Sequence, residues 1–310
     1  MSDLPLVSIA LCTYNGEAFL REQLDSVLAQ TYPNLEIIVV DDCSGDSTWD
    51  ILEGYASKHQ HVNIFANSEN LGYTRNFEKA LQLCKGELVA ICDQDDVWHP
   101  EKMSMQVEAL GANLLIYHDS EFIDRFGNKI GLTISDKFNF YRGSDPAVFL
   151  LLNCISGHSI LMKNTLLQAS LPFPAGFHYD QWLAYVAASL GSVDFINLPL
   201  VQYRQHETNS TDILATRSRR QPRKREVKLN EMHNETAWLK LCAQASTRSD
   251  LAAKLYALSL QRNRSWMGID YGWKIWQNRE SLLFLLKKGP VSKFFFVLRK
   301  TWGERTKQLF

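Results

Sequence analysis

Several common nucleotide-binding and redox signatures are missing from this 310-residue sequence. It contains neither the Gly-x-Gly-x-x-Gly pattern of dinucleotide-binding enzymes nor the Gly-x-x-x-x-Gly-Lys-Ser/Thr phosphate loop. These absences argue against a dehydrogenase and against a P-loop NTPase. No two of its six cysteines are spaced as Cys-x-x-Cys, and most lie in apolar stretches. We therefore expect buried free thiols rather than a disulfide framework.

Long apolar runs are missing as well. No stretch reaches the roughly 18 apolar residues that a membrane-spanning helix requires. The N-terminus has no basic segment before its first apolar run, Leu6–Cys12, and that run is too short for a signal peptide. The sequence therefore predicts a cytoplasmic protein in a reducing environment.

The formal net charge of −1 conceals two oppositely charged regions. Residues 1–216 carry 12 Lys and Arg against 27 Asp and Glu, whereas residues 217–310 carry 21 against 7. Such an asymmetry predicts different partners for the two regions. We place a linker at the basic, proline-containing stretch 217–228, between an α/β domain at 1–216 and a basic, mainly helical region at 217–310.

Short apolar runs alternate with helical periodicity along the first hundred residues. Amphipathic helices separate four predicted strands, Leu6–Cys12, Leu35–Val40, Val62–Phe65 and Leu88–Cys92. This alternation is typical of a mostly parallel α/β sheet, which binds ligands outside the carboxyl ends of its strands. Three of these ends carry polar clusters: Thr13-Tyr14-Asn15, Asp41-Asp42 and Asp93-Gln94-Asp95-Asp96.

The acidic cluster Asp93–Asp96 directly follows the fourth predicted strand. Carboxylates two residues apart can bind one hard cation, because Mg²⁺ and Mn²⁺ are held by one or two carboxylates together with substrate phosphates. An isolated Asp-x-Asp is more often a solvated turn, but its position at the ligand-binding edge favours a metal site. The pair Asp41-Asp42 is suited to bind a ribose or a base. Helix capping by Asp42 is the alternative.

Two candidate residues lie further along the chain. Asp180 begins an apolar helix predicted over Asp180–Leu190, where a carboxylate either interacts with the helix dipole or acts as a general base. His206 follows Tyr203-Arg204-Gln205. A lone histidine is more often structural, but beside an acidic metal site it is a candidate nitrogen ligand.

Four segments of the sequence resemble family 2 glycosyltransferases, which have the GT-A fold. The opening of that family is similar to residues 7–48, VSIALCTYNGEAFLREQLDSVLAQTYPNLEIIVVDDCSGDST, and its Asp-x-Asp segment to residues 92–103, CDQDDVWHPEKM. Bacterial rhamnosyltransferase-like members have segments that resemble FHYDQWLAYVAASLG and PLVQYRQHETNS, residues 177–191 and 199–210. The resemblance covers residues 5–210 and implies a Rossmann-like, mostly parallel GT-A sheet.

The resemblance also implies roles for individual residues. Mg²⁺ or Mn²⁺ would be coordinated by Asp95 and His206. Asp180 would be the catalytic base, although Gln181 stands where many relatives have a second acidic residue. The residues expected to bind the nucleotide are Thr13, Tyr14, Asn15 and Glu17 at the pocket, Asp41 and Asp42 at the base or ribose, Arg75 at the diphosphate and Asp93 at the ribose.

The activity implied by this resemblance is inverting, metal-dependent transfer of a sugar from a nucleotide diphosphate donor to a lipid-linked saccharide. Such reactions build bacterial surface polysaccharides such as O-antigen and capsule. Rhamnose from dTDP-rhamnose is the first expectation, and a UDP-hexose or UDP-N-acetylhexosamine is the alternative.

Two other functions compete with glycosyl transfer. A nucleotidyltransferase is disfavoured, because residues 13–19, TYNGEAF, offer one glycine and no basic residue for a phosphate loop. A non-catalytic assembly subunit of a membrane-associated system would need neither Asp95 nor Asp180, and both are present.

The basic C-terminal region has three interpretations. One is a solvated helical face, and another is nucleic-acid binding, which no motif supports, so we expect no nucleic-acid partner. We favour a peripheral location on the anionic inner leaflet of the plasma membrane, because cations alternate here with apolar and aromatic residues. The cations are Lys287, Lys288, Lys293, Arg299, Lys300 and Arg305, and the apolar residues are Leu282–Leu286, Phe294–Phe296 and Trp302.

Overall fold

The computed structural model of the protein describes residues 4–207, 225–245 and 250–308. Within them the chain forms two compact units. Unit 1 comprises the residues up to 136, 140–144 and 154–205, and unit 2 comprises 137–139, 145–153 and the residues from 206 onwards. The predicted boundary between 216 and 217 lies outside the described residues. So does most of the predicted linker, whose last four residues, Arg225–Lys228, begin a helix.

Unit 1 contains one mixed β-sheet, to which every strand in the described part of the chain belongs. The strands lie in the order β3-β2-β1-β4-β8-β6-β9-β5, with β7 paired to β6. In chain order they are β1 (Val7–Thr13), β2 (Leu35–Asp41), β3 (Val62–Ala66), β4 (Leu88–Cys92), β5 (Val97–Trp98), β6 (Leu115–Ile123), β7 (Lys129–Thr133), β8 (Leu161–Lys163) and β9 (Val193–Arg204).

Strands β1 to β4 are parallel, so their carboxyl ends meet at one edge of the sheet. Thr13 lies opposite Asp41, and Leu11 opposite Cys92, which brings the residues after β1, β2 and β4 together. The four predicted strands are therefore confirmed. The sheet departs from the parallel pattern at β8, which pairs antiparallel with both β4 and β6.

Six α-helices connect these strands: α1 (Leu20–Leu28), α2 (Thr48–Ala56), α3 (Tyr73–Leu83), α4 (Lys102–Leu110), α5 (Asn164–Ser170) and α6 (Tyr179–Leu190). A short 3₁₀ turn, Gly157–Ser159, precedes β8. The core of unit 1 includes one buried cluster of apolar side chains from α1, α2, β1 and β2, among them Leu24, Leu52, Ile9 and Val39. All six cysteines of the chain are free.

Unit 2 is helical, as expected for the C-terminal region. Its helices are α7 (Arg225–Ala245), α8 (Asp250–Asn263), α9 (Ile269–Gln277), α10 (Arg279–Leu282), α11 (Pro290–Thr301) and α12 (Glu304–Lys307), and residues Pro146–Phe149 add a 3₁₀ turn. None of the helices described here or in unit 1 has the length and apolar character needed to cross a membrane.

A buried ionic cluster in unit 2 is centred on Glu235 of α7. Its Oε1 accepts hydrogen bonds from Arg262 Nη1 at 2.6 Å and from the Tyr271 hydroxyl at 2.9 Å, and its Oε2 accepts one from the Lys300 ammonium. Burial opposes ionisation of Glu235, but the Lys300 and Arg262 cations outweigh it and lower the pKa of this carboxyl to about 2. The cluster thus joins α7, α8, α9 and α11.

We predict that Glu235→Gln destabilises the protein by about 3 kcal/mol at pH 7, because it leaves the buried Arg262 and the partly buried Lys300 without their counter-charge. The folded pKa lies below the unfolded value, so the ionised carboxyl contributes stability above about pH 4.5 and loses it as the pH falls towards 2. Urea unfolding from pH 7 to pH 3 measures the difference. Glu226→Gln, at an exposed position of α7, is the control. An equal loss in that variant, or a difference independent of pH, would contradict the prediction.

Candidate active site

Side-chain hydrogen bonds tie the loop after β1 to the loop after β2. Thr13 Oγ1 donates to Asp41 Oδ1 at 2.8 Å, and Asn15 Oδ1 accepts from the Gly45 amide at 2.8 Å. Glu17 Oε2 accepts a backbone N–H at the start of α2 at 2.9 Å. Four of the residues predicted to bind the nucleotide thus lie in one cluster of bonded loops at the edge of the sheet.

Tyr14, the neighbour of these residues, connects them to the acidic loop after β4. Its amide donates to Gln94 Oε1 at 2.8 Å, and Gln94 Nε2 donates back to its carbonyl at 3.1 Å. Gly16 fits against the same amide group, because a Cβ at this position would lie 2.3 Å from Gln94 Oε1. Tyr14 as a whole residue is 49% exposed. The Tyr14 backbone therefore holds Gln94, between Asp93 and Asp95, against the first loop.

Asp42 holds the loop that precedes α3. Its Oδ1 accepts from the Leu71 amide at 2.8 Å and from Asn67 Nδ2 at 2.7 Å, and its Oδ2 accepts from the Gly72 amide at 2.9 Å. The carboxylate is buried. Because these amides lie directly before α3, Asp42 fixes the start of the helix that carries Arg75.

Asp96, the last residue of the acidic loop, is completely buried. Its amide donates to Gln23 Oε1 at 3.0 Å, and its Oδ1 accepts from the Arg204 amide at 3.0 Å. Burial raises the pKa of this carboxyl well above its usual range, and the Asp95 and Asp93 carboxylates act in the same direction. Asp93 and Asp95 themselves are half-buried.

His158 lies against this acidic loop. Its Nδ1 is 3.5 Å from Asp96 Oδ2 and 3.7 Å from Asp93 Oδ2, and its Nε2 shares a hydrogen bond with Ser120 Oγ at 2.8 Å. One ligand atom from each of Asp93, Asp96 and His158 falls within 4.8 Å of the others. Asp96 Oδ2 has no hydrogen-bond partner among the described residues. Two carboxylates and one imidazole form a ligand set that suits a divalent cation, and Asp96 Oδ2 makes no competing hydrogen bond to the described residues.

The predicted ligands Asp95 and His206 are not part of this three-residue cluster. Asp95 belongs to unit 1, and His206 is the first residue of the last segment of unit 2. His158 was missed by the sequence reasoning, because the segment around it, residues 154–160, has no spacing that relates it to the Asp-x-Asp. Only the pairing of β8 with β4 and β6 brings it to the acidic loop.

Arg204, also missed, is the buried last residue of β9. Its Nε donates to the Asp95 carbonyl at 2.8 Å, and its Nη2 forms an ion pair with Glu22 at 2.5 Å. The guanidinium lies 4.8 Å from the centre of the Phe19 ring. Arg204 therefore connects the end of β9, the acidic loop and the beginning of α1.

Several buried polar atoms behind the acidic loop have no partner among the described residues: Trp98 Nε1, Lys102 Nζ, Gln106 Oε1 and His118 Nε2. The Lys102 ammonium lies 3.5 Å from the centre of the Trp98 ring, and burial lowers its pKa to about 7. Buried polar groups of this kind are usually satisfied by internal water. The floor of the site is thus polar. Because Lys102 and Gln106 lie on the buried face of α4, the sequence shows no clear apolar periodicity there, and this helix was not predicted.

Asp180 lies in the first turn of α6, beside an aromatic cluster. The ring of Tyr179 lies 5.2 Å from Tyr73, 5.0 Å from Phe77 and 5.6 Å from Phe173, measured between centroids. Burial raises the pKa of Asp180 to about 6, against the opposing effect of His178 and with a smaller contribution from the Asp93 carboxylate. A carboxylate with this pKa is ionised at neutral pH and can accept a proton.

A groove of about 330 Å³ opens between the beginning of α3 and the loop 172–176. Arg75, which the family resemblance assigns to the diphosphate, lines it together with Tyr73, Thr74 and Glu78. An exposed arginine in a groove next to an aromatic wall is suited to an anionic ligand. The structure thus places Arg75 in a cavity on the side of the groove formed by α3.

Comparison with known proteins decides the family. Residues 8–168 match the family model described as glycosyl transferase family 2. The chain belongs to this family. An uncharacterized glycosyltransferase of Haemophilus influenzae is 36% identical to it over 225 residues, which cover 69% of each chain. One from Rickettsia typhi is 31% identical over 217 residues, covering 67% of this chain and 66% of that protein, just under two thirds of its length.

Two further proteins that are similar to this chain have names that mention a polysaccharide or a bound nucleotide sugar. The putative teichuronic acid biosynthesis glycosyltransferase TuaG of Bacillus subtilis is 38% identical over 104 residues, 34% of this transferase and 41% of TuaG. The crystal structure of S. aureus TarS 1-349 with UDP-GlcNAc superposes with a TM-score of 0.58 and 17% identity, covering 82% of this chain and 72% of that one. This likeness confirms the expected GT-A-type fold.

We predict that Asp42→Asn loosens the loop before α3. An amide group would turn its NH₂ donors towards the Leu71 or Gly72 N–H, and each bond lost to a charged acceptor costs about 1.5–3 kcal/mol. Hydrogen–deuterium exchange of the Leu71 and Gly72 amides should accelerate at least about tenfold. Asp50→Asn, at an exposed position of α2, is the control and should leave both amides protected. Unchanged exchange in Asp42→Asn would refute this role.

Proposed function

We propose that this family 2 glycosyltransferase inverts the anomeric centre as it moves a sugar from a nucleotide diphosphate donor to a growing bacterial surface polysaccharide. Two observations support the proposal. An acidic cluster with His158 lies at the carboxyl edge of the sheet, and burial raises the pKa of Asp180, in the first turn of α6, to about 6. A cation site beside a general base is what glycosyl transfer from a diphosphate requires.

We propose two candidates for the donor sugar. Rhamnose from dTDP-rhamnose rests on the likeness of residues 177–191 and 199–210 to rhamnosyltransferase-like members. A UDP-N-acetylhexosamine is the second candidate, and it is favoured by the fold shared with TarS, which was crystallised with UDP-GlcNAc. The name of TuaG supports a surface polysaccharide as the product. A lipid-linked saccharide acceptor and a peripheral location on the inner leaflet complete the proposal.

The chemistry follows from the position of Asp180. Its carboxylate accepts the proton of the acceptor hydroxyl as that oxygen attacks the anomeric carbon of the donor. The bond from this carbon to the diphosphate oxygen breaks in the same step, through a transition state with oxocarbenium character, so one displacement inverts the centre. Arg75, in its groove, is suited to bind the diphosphate.

Two ligand sets compete for the cation that this reaction uses. The geometry favours Asp93, Asp96 and His158, whereas the family resemblance favours Asp95 and His206. A divalent cation bound there supplies positive charge that stabilises the departing nucleotide diphosphate. Carboxylate oxygens predominate in both sets, which favours Mg²⁺ or Mn²⁺.

We predict that Asp180→Asn lowers kcat by about 100- to 10,000-fold while the donor still binds, because the variant cannot accept the proton. In the unmodified enzyme the base must be ionised. Since its pKa is about 6, kcat/KM should fall tenfold per pH unit below pH 6 and level off above it. Rates of sugar transfer between pH 5 and 8 measure both effects.

Asp50→Asn is the matched control for this experiment, because Asp50 also lies in the first turn of its helix. It tests the alternative in which Asp180 acts only on the helix dipole. Equal activity losses in the two variants, or a pH profile that stays flat down to pH 5, would argue against a catalytic base at Asp180.

Thermal-shift measurements with UDP-, dTDP- and GDP-sugars test the donor and the metal. We expect one nucleotide to raise the melting temperature only with Mn²⁺, by about 5–10 °C at 100 times its Kd. Asp95→Ala should abolish this stabilisation where Asp95 and His206 hold the cation, and should leave it in place where Asp93, Asp96 and His158 hold it. We compare His158→Asn with His206→Asn: the one in which Mn²⁺ no longer allows the nucleotide to raise the melting temperature identifies the nitrogen ligand. His61→Asn, at an exposed position, is the control. If no nucleotide stabilises the folded protein, a non-catalytic assembly subunit becomes the better interpretation.

A further inference from the structure

Exposed apolar side chains line one face of α9 and one face of α11 in unit 2. On α9, Ile269 and Trp273 lie one turn apart and are 70% and 59% exposed. On α11, Val291, Phe294 and Phe295 lie within one turn and are 70%, 51% and 50% exposed. We refer to these five residues as the apolar band. Large exposed apolar patches mark sites that bind proteins or membranes.

The band is continuous across the two helices. Trp276, one turn after Trp273, contacts Phe294 edge to face at 5.8 Å between ring centroids, and Phe294 contacts Phe295 in the same way at 5.8 Å. The helices pack tightly beneath it, since a Cβ on Gly272 would lie 2.2 Å from Thr301 Cγ2. The apolar band therefore sits on a preformed surface.

The surroundings of the band are strongly basic. Residues 269–300 carry seven Lys and Arg against two Asp and Glu. Lys300 pairs with Glu235, and the Arg279 guanidinium lies 5.2 Å from the Trp276 ring. Lys288 is exposed just before α11, and Lys293 lies on α11 itself between Val291 and Phe294.

We propose that the apolar band docks on an anionic bilayer surface. Its aromatic side chains enter the headgroup region, and the flanking lysines contact acidic lipid headgroups. A protein partner fits less well, because lysine is depleted at the centres of protein interfaces. At about 1.5 Å per residue, the 12 residues of α11 extend about 18 Å, too short to cross the bilayer, so the surface lies on the membrane. The biological setting rests on the proposed function, but the docking itself rests on unit 2 alone.

Flotation of the full chain with vesicles tests this inference. We expect it to float with phosphatidylglycerol-containing vesicles and to stay in solution with pure phosphatidylcholine, and raised salt should weaken the binding. Phe294→Ser with Phe295→Ser should reduce partitioning at least about tenfold, since two half-exposed rings no longer enter the interface. Lys288→Gln with Lys293→Gln should reduce it about 25-fold, because each cation contributes roughly fivefold.

Matched controls change exposed residues of unit 1. Phe126→Ser with Leu198→Ser removes two side chains that are 78% and 50% exposed, and Lys58→Gln with Lys85→Gln removes two exposed cations. All four double variants should keep their thermal stability and their stabilisation by nucleotide. Failure of membrane docking is thereby distinguished from failure of the proposed glycosyl transfer.

Three results would overturn the inference. The first is absence of flotation with anionic vesicles, and the second is an equal loss of flotation in the band variants and the unit 1 controls. The third is concentration-dependent self-association, without flotation, that Phe294→Ser with Phe295→Ser abolishes. That last result would instead assign the apolar band to an interface between two copies of the chain.

Discussion

One buried cation, the Arg204 guanidinium, holds the acidic end of the sheet in place. Three carboxylates follow β4 within four residues, and burial of Asp96 makes their mutual repulsion stronger than in water. The Arg204 amide donates to Asp96, its Nε donates to the Asp95 carbonyl, and its charge is paired with Glu22. Because Arg204 ends β9, these contacts also hold the end of that strand against the acidic loop. The geometry offered to a cation therefore depends on a residue that is not itself a ligand.

The loops around this point are ordered by carboxylates that accept backbone hydrogen bonds. Asp42 accepts from two amides before α3, and Asp41 accepts from Thr13 and from the amide of Ser44. Asn67 Nδ2 donates a third bond to Asp42, and the Ser44 hydroxyl donates a third bond to Asp41. A carboxylate has about four acceptor positions, so each of the two keeps about one for a ligand hydroxyl. The residues that the family resemblance assigns to the nucleotide thus have a structural task as well. A preorganised pocket of this kind loses little entropy when a nucleotide binds.

Much of unit 1 could be predicted, because parallel strands that are buried on both faces produce unmistakable apolar runs. β4 agrees with its prediction, Leu88–Cys92, at both ends. Helix α4 escaped prediction because Lys102 and Gln106 occupy its buried face. Strand β9 contains Pro199, which has no N–H to donate, and a register shift against β6 accommodates it there. His158 reaches the acidic loop through non-local pairing, which spacing along the chain cannot reveal.

The Glu235 cluster of unit 2 has an evolutionary consequence. Four helices contribute one side chain each. A mutation at any single member therefore leaves charges or hydrogen-bond donors of the others without their partner. Simultaneous replacement of a whole buried ionic group by apolar residues of similar volume is often neutral or stabilising, whereas partial replacement is not. Viable sequences with and without the cluster are therefore separated by unstable intermediates. Lineages that carry these four residues are expected to inherit them as a set.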